Sequence, residues 1–265
     1  LKYFGAGAAS SLGRDVGLSD PPAMWARGMM LICAVVMLGS ARAPNRVVVW
    51  AWERPEDLRF LGDTADVAIQ SGFVVLSGDG VQARGRRFPL RMSGRPSTAL
   101  VHVQIDRGRP LAWTPDQRRE AARAVLAFGQ VAGADALQVD FEVRGSERGV
   151  LLDLLSDVRR GLPKDKRLSM TALASWCETE TWLDGAPVDE IVPMLFRMGP
   201  GGEPLKAKLE AGGDFANPRC RSALAVSTDA PLSQAPADGR RLYLFDPHSW
   251  ALSDYTTLRK EAARW

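Results

Sequence analysis

The chain reads as an α/β protein of the (β/α)8 barrel class, small for that class, with a β-hairpin inserted after the second strand. Three observations carry the expectation. Eight short β-like segments recur between residue 46 and residue 245, most separated by helix-like stretches, and alternation of that kind builds a parallel sheet that eight units can close. The eight residues Asp135-Ala-Leu-Gln-Val-Asp-Phe-Glu142 alternate with period two, with Leu137, Val139 and Phe141 on one side and Gln138, Asp140 and Glu142 on the other. In a barrel of this kind the outward side of a strand meets helices and must be apolar, while the C-terminal strand ends carry the site.

The elements follow in order. Strand one is expected over Arg46 to Trp52, and Arg54-Pro-Glu-Asp-Leu opens a first helical stretch. Strand two lies within Val67 to Leu76, and Ser77-Gly-Asp-Gly80 is a tight turn. The chain then returns through Leu90-Arg-Met92 as the inserted hairpin, with Arg84 to Arg87 as its solvated edge. Strand three is Ala99 to Ile105. Thr114-Pro-Asp-Gln is a helix start with a capping residue and a proline in the first turn, and that helix runs to about Val131. Strand four is Ala136 to Val143, the next helix Ser146 to Gly161, and strand five Arg167 to Ala174. Strands six, seven and eight are Glu190 to Phe196, Ser222 to Val226 and Arg241 to Phe245, and Asp254 to Arg264 closes with a helix. Some helices must be short or missing in so small a barrel. Gly199 to Pro218, rich in Gly and Pro, is the least regular stretch.

The chain has 265 residues, 46% hydrophobic and 25% charged, ordinary values for a globular protein. Its net charge of +3 is partly carried by residues 1–43, where four cations face two acids, so the rest is nearly neutral and no basic stripe points to nucleic acid. Residues 24–43 read as a secretion signal. Met24-Trp-Ala-Arg-Gly is a positive start, Met29 to Leu38 an apolar core, and small residues follow up to Ala43. The apolar run is short for a membrane span, which needs about 20 residues, although an uncleaved anchor is the competing reading. Residues 1–23 are expected to be an upstream extension, and residues 44–265 one barrel domain in a periplasmic or extracellular setting. Two cysteines, Cys177 and Cys220, would remain after cleavage. They fall at opposite ends of the strand map, and a strand length of about 17–20 Å is too far for a disulfide. Two thiols are therefore expected.

The acids carry a resemblance. The run from Asp135 to Glu142 resembles the Asp-Gly-x-Asp-x-Asp-x-Glu signature of glycoside hydrolase family 18, the chitinase-like enzymes. Asp135, Asp140 and Glu142 match, while Ala136 stands for the glycine and Gln138 for the middle aspartate. The segment from Asn45 to Trp265 also resembles the bacterial domain-of-unknown-function family 3142, whose members are predicted to be secreted barrels. That likeness rests on Val47 to Trp50, Val139 to Glu142, Leu168 to Trp176 and Tyr243 to Pro247. The first resemblance implies a barrel acting on a glycan, with Glu142 as proton donor. It also implies a Met-x-Tyr-Asp motif in strand six. Here Met194-Leu-Phe196-Arg197 stands in that place, without the hydroxyl that would help hold an N-acetyl group.

On this reading Glu142 is a general acid and Asp140, on the same face, opposes its ionisation through like charge. Trp50, Trp52, Trp176 and Trp250 lie near strand ends, where they could stack on sugars or fill the core. Gln138, His102, Gln104, Met194, Phe196 and Arg197 complete the candidate binding set. Asp106 and Asp246 are the two candidates for the second carboxylate that ordinary glycoside hydrolysis needs. Salt bridges to Arg144, Arg148 or Arg197 are the structural alternative for Asp140 and Glu142. No cofactor is expected: the chain has two histidines and no His-x-His pair, no Gly-x-Ser-x-Gly elbow, no P-loop and no strand-linked Gly-x-Gly-x-x-Gly. The expected partner is a polysaccharide or oligosaccharide, with membrane contact only through the signal segment. A non-catalytic glycan-binding barrel or an envelope scaffold is the alternative function.

Overall fold

A computed structural model describes residues 47–264 except 231 and 238. The expected extension and signal segment, residues 1–43, lie outside the described residues.

Eight parallel strands close a barrel, as the alternation predicts. They are β1 (Val47–Ala51), β3 (Asp66–Ser77), β6 (Thr98–Ile105), β7 (Ala136–Asp140), β8 (Arg167–Leu173), β9 (Glu190–Met194), β10 (Ala223–Ser227) and β11 (Arg241–Phe245). Each pairs with the next around the ring, and β1 pairs with both β3 and β11, which closes it. Strands β1, β7 and β10 are buried at every residue, because one face meets the barrel axis and the other meets the outer layer.

The outer layer is uneven. Helix α1 (Pro115–Phe128) starts where expected, with the Thr114 hydroxyl accepting from the Gln117 N–H at 3.2 Å. It is followed by α2 (Arg148–Gly161), the short α3 (Trp176–Thr179), α4 (Gly202–Glu210) and α5 (Leu252–Ala262). Leu151, Leu154, Leu155 and Val158 give α2 one apolar face at helical spacing, and all four are buried. The Gly- and Pro-rich stretch contains α4, so it is more regular than its composition suggests.

Two expected features of the first crossovers differ. The helix expected from Arg54 is reduced to one 3-10 turn, Arg59–Leu61. Glu56–Asp57 form β2, which pairs in parallel with β5 (Leu90–Arg91). The Glu56 carboxylate explains the extended backbone: it accepts from Arg54 Nε at 2.8 Å and from the Trp250 N–H at 3.0 Å, tying this segment to the loop before α5. The hairpin after strand two is present, with β4 (Gly80–Gly85) antiparallel to β3. Its return ends at Gly85, and Leu90–Arg91 belong to the small sheet instead.

The arginine run of the hairpin is also not a solvated edge throughout. Arg86 donates to the carbonyls of Ala51, Trp52 and Arg54 at 3.0, 2.7 and 2.7 Å, and Arg84 is ion-paired to Glu53. Arg86 thereby gives donors to carbonyls at and beyond the C-terminal end of β1, where a buried unpaired carbonyl is costly.

Strand β3 contains a bulge. Gln70 pairs with Leu100 and Gly72 with Val101, so Ser71 is an extra residue. Gly72 is required there: a Cβ would stand 2.2 Å from the Phe128 ring of α1. The bulge flips the alternation, so Phe73, opposite His102 in register, faces the barrel axis.

Cys177 and Cys220 form a disulfide, with Cα atoms 6.0 Å apart. This corrects the expectation of two thiols. That expectation placed both residues by strand ends, whereas both belong to crossovers. The chain after β8 turns back along the outside of the barrel as α3, and the segment leading to β10 runs alongside it, with the Asn217 N–H donating to the Cys177 carbonyl at 2.9 Å.

Candidate functional site

The barrel axis is filled in layers. At the N-terminal end Tyr243 donates its hydroxyl proton to Glu190 at 2.7 Å, and Arg241 stands 3.5 Å from the same carboxylate. In the middle the Trp50 indole N–H donates to Gln138 Oε1 at 2.7 Å, and Gln138 Nε2 donates to Ser169 Oγ at 3.0 Å. These layers seal the barrel below. Above them, at the C-terminal ends of the strands, a pocket of about 390 Å³ opens.

Asp140 and Glu142 both line this pocket. Asp140 is 3% exposed and forms the hub of a polar triad: it accepts from Thr171 Oγ1 at 2.6 Å and from His102 Nδ1 at 2.5 Å. Because an ionised carboxylate only accepts, the bond assigns the Nδ1 proton to His102. Burial lowers the His102 pKa, but the bond and charge of Asp140, helped by Glu142 and by Gln104, outweigh it and raise it above the ordinary histidine value. Phe73 stacks on the His102 ring at 5.1 Å and Trp52 meets it edge-on at 5.7 Å.

Glu142 lies one residue pair further up and past the end of β7. Its side chain is 42% exposed, and the Arg197 Nε is 3.6 Å from its Oε1. Burial pushes its carboxyl pKa up and the charge of Asp140 pushes it further, while Arg197 and His102 pull the other way; the net shift is upward. Of the salt bridges that would make the acids structural, only Arg197 is present, and at that distance it is weak. Arg148 pairs with Glu180 instead.

A second carboxylate enters the pocket from β1. Glu53 lies two residues past the end of that strand and was not among the sequence candidates. Burial pushes its carboxyl up, but the bond and charge of Arg84, with the Arg87 N–H at 3.2 Å, outweigh this and hold it below the ordinary carboxylate value. The pKa values of the two glutamates of one pocket are thus shifted in opposite directions.

The apolar wall is made by Trp52, Phe73, Phe196, Phe245 and Met194. Phe196 and Phe245 stack at 4.9 Å, and Trp52 packs edge-on to Phe245 at 5.9 Å. The Trp52 indole N–H is buried without a hydrogen-bond partner in the protein. Gln70 and Arg54 complete the lining. Gln70 accepts from the Glu53 N–H at 2.9 Å, and Arg54 reaches Glu56, the Pro247 carbonyl at 2.9 Å and the Asp246 carbonyl.

Of the sequence candidates, Trp52, His102, Asp140, Glu142, Met194, Phe196 and Arg197 come together in this pocket. The others do not line it. Gln138 is completely buried and spent on Trp50 and Ser169. Trp50 fills the axis at 1% exposure, Trp250 is buried with its indole N–H on the Trp50 carbonyl at 3.0 Å, and Trp176 packs on Trp182 at 5.2 Å in the outer core. Sugar stacking is therefore open to Trp52 alone of the four named tryptophans. Gln104 is exposed at the rim above His102. Asp106 accepts from Ser77 Oγ at 2.7 Å and from the Gly108 N–H at 2.9 Å, which makes it the clasp of a turn. Asp246 is buried and accepts from the His248 N–H at 2.7 Å, again a turn. Neither candidate for the second carboxylate is in the site.

The missed residues had different signals. Glu53-Arg54 lies just past the end of a barrel strand, the position where site residues gather. Phe245 shares its face of β11 with Tyr243 by plain alternation. Phe73 had no readable signal, since the bulge at Ser71 reverses the parity. Among the described residues, no group of three His, Cys, Asp or Glu side chains could hold a metal ion, and no helix is long and apolar enough to cross a membrane. No protein-family model, curated protein or solved structure matches this chain.

Proposed function

We propose that the protein is an exported barrel that hydrolyses a polysaccharide, with Glu142 as the general acid. The observation that carries the reading is the position of Glu142: half-exposed in a pocket at the C-terminal mouth of the barrel, above a buried Asp140 whose charge opposes its ionisation. A carboxyl whose pKa is raised keeps its proton to higher pH, and the protonated form can give that proton to a glycosidic oxygen as the bond breaks. Asp140 assists from below. Its bonds to Thr171 and His102 fix its side chain in place below Glu142.

The partner carboxylate in this reading is Glu53, which Arg84 and the Arg87 N–H hold below the ordinary carboxylate value. Paired carboxyls whose surroundings drive their pKa values apart are the usual division of labour in glycoside hydrolysis. The aromatic wall suits the apolar faces of sugar rings. The Cys177–Cys220 disulfide supports an oxidising compartment, hence export.

A non-catalytic glycan-binding barrel is the second reading, and Gln138 favours it. This residue stands where the chitinase-like signature has an aspartate, and it is sealed under Trp50, out of reach of any substrate. The substrate-assisted route of that family is accordingly not part of the proposal. The test is cleavage of a panel of cell-wall and exopolysaccharide glycans by wild type, Glu142→Gln and Glu53→Gln. Loss of about 10²–10⁴-fold in kcat for Glu142→Gln is expected of a general acid. Wild type that binds a glycan without cleaving it, matched by Glu142→Gln, selects the second reading.

A further inference from the structure

The pocket contains a cation that works against its own acid. Three positively chargeable groups line it. Arg54 is spent on Glu56 and on two carbonyls. His102 is spent on Asp140. Arg197 alone of the three has no acid within hydrogen-bond distance among the described residues: its nearest is Glu142 at 3.6 Å, and its side chain is 62% exposed. Its backbone, by contrast, is anchored. The Arg197 N–H donates to the Met194 carbonyl at 3.0 Å, and the Arg197 carbonyl accepts from the Ala174 N–H at 3.1 Å. A fixed base therefore carries a guanidinium head into the pocket opening.

In that place Arg197 stabilises the ionised form of Glu142, the form that cannot donate a proton. The neighbouring acids do not occupy it, since Glu53 is held by Arg84 and Arg87 and Asp140 by His102 and Thr171. An anion brought by the substrate would resolve both facts. The guanidinium fork matches a carboxylate with two parallel N–H bonds, and a carboxylate on Arg197 would cancel the charge that Glu142 faces.

We propose that the substrate is an acidic glycan, and that Arg197 binds the carboxylate of a uronic acid residue beside the linkage held at Glu142. The proposal specifies the substrate class of the site and rests on the hydrolase reading only for its catalytic consequence. When the uronate binds, Arg197 changes partner from Glu142 to the sugar. Glu142 then faces Asp140 below and the Asp140-paired His102 beside it, with Arg54 and Glu53 engaged by their own partners. With its opposing cation neutralised, Glu142 takes up a proton from solvent and the acid is armed by the substrate that needs it. One proton is gained by Glu142 and none is lost elsewhere in the pocket.

The experiment is calorimetric titration of the full chain with oligosaccharides of glucuronate, galacturonate and mannuronate, and with the matching neutral oligosaccharides. At least one uronate series is expected to bind tighter than its neutral counterpart by about tenfold or more, the size of one charge-assisted hydrogen bond. Arg197→Met keeps the length and apolar stem and is expected to erase that preference, while Arg197→Lys retains part of it. Titrations in buffers of different ionisation heat are expected to show proton uptake on uronate binding by wild type and none by Glu142→Gln. Circular dichroism and thermal unfolding of each variant check that the barrel is intact. Equal binding of neutral and acidic sugars, or a preference that survives Arg197→Met, overturns the proposal. Uronates bound with proton uptake but never cleaved leave the proposal standing and remove the hydrolase reading. Neutral glycans cleaved while uronates are ignored do the reverse. A chain that binds neither class refutes both.

Discussion

Breaking the Cys177–Cys220 bond gives the sharpest test of the fold. The bond closes a loop of 43 residues that contains α3, β9 and α4. In the chain-entropy account, tying the unfolded chain at that separation is worth about 4 kcal/mol at 25 °C. For a domain of about 220 residues each kcal/mol moves Tm by roughly 2–4 °C, so loss of the bond is expected to lower Tm by roughly 8–16 °C. Both cysteines are fully buried, so alanine replacements would add a packing loss to the cross-link effect. The two are separated by following urea unfolding of wild type with and without a thiol reductant, beside the Cys177→Ala/Cys220→Ala double variant. Reduction reports the cross-link, and the further difference in the double variant reports the sulfur atoms. Peptide mapping of the unreduced, unfolded chain is expected to recover Cys177 and Cys220 in one cross-linked pair of peptides. Recovery of the two as separate thiol peptides, or a reductant effect below about 1 kcal/mol, would refute the reasoning.

Three other outcomes are expected. Activity that depends on protonated Glu142 falls as pH rises through its pKa; Asp140→Asn removes a charge that raises that pKa, so the falling limb moves to lower pH, and Arg197→Met removes one that lowers it, so the limb moves to higher pH. A pH–rate profile of kcat/KM for the three proteins checks both directions. The folded-state pKa of His102 is raised above its ordinary 6.5, so its pairing with Asp140 contributes stability that is fully present below that value and is lost as pH rises through the folded value. Tm measured from about pH 6 to pH 9 should therefore decline in wild type, and the His102→Asn variant should flatten the decline. Gln138→Leu leaves the Trp50 N–H and the Ser169 hydroxyl without their partner in a sealed layer, at about 1–3 kcal/mol for each group; urea unfolding should show a loss of about 2–6 kcal/mol.

The strands were legible because their signal is local. Period-two alternation comes from the pleat of the backbone itself, so Leu137, Val139 and Phe141 could be placed outward and Gln138, Asp140 and Glu142 inward from residue order alone. The same logic located β1, β6, β8 and β11 to within a residue or two. Helix α1 was readable because Thr114 and Pro115 mark its start chemically. The closed barrel and its strand order followed from the count of units, and Asp140, Glu142, His102 and Trp52 followed as candidate site residues from the strand ends.

What the tertiary structure decided is everything that depends on which side chains meet across the chain. The bulge at Ser71 turned Phe73 inward, and beside it Phe128 of α1 packs so close to Gly72 that no side chain fits there. Trp50, Trp176 and Trp250 became packing residues, and Asp106 and Asp246 became turn clasps, because their partners lie far off in sequence or in backbone that only the fold positions. Glu53 became the second pocket carboxylate because Arg84 returns to it on a hairpin. The disulfide formed because crossovers run back over the outside of the strands and bring together residues 43 apart. Local backbone geometry repeats and can be counted along a chain; a contact between two distant segments depends on the path of all the residues between them.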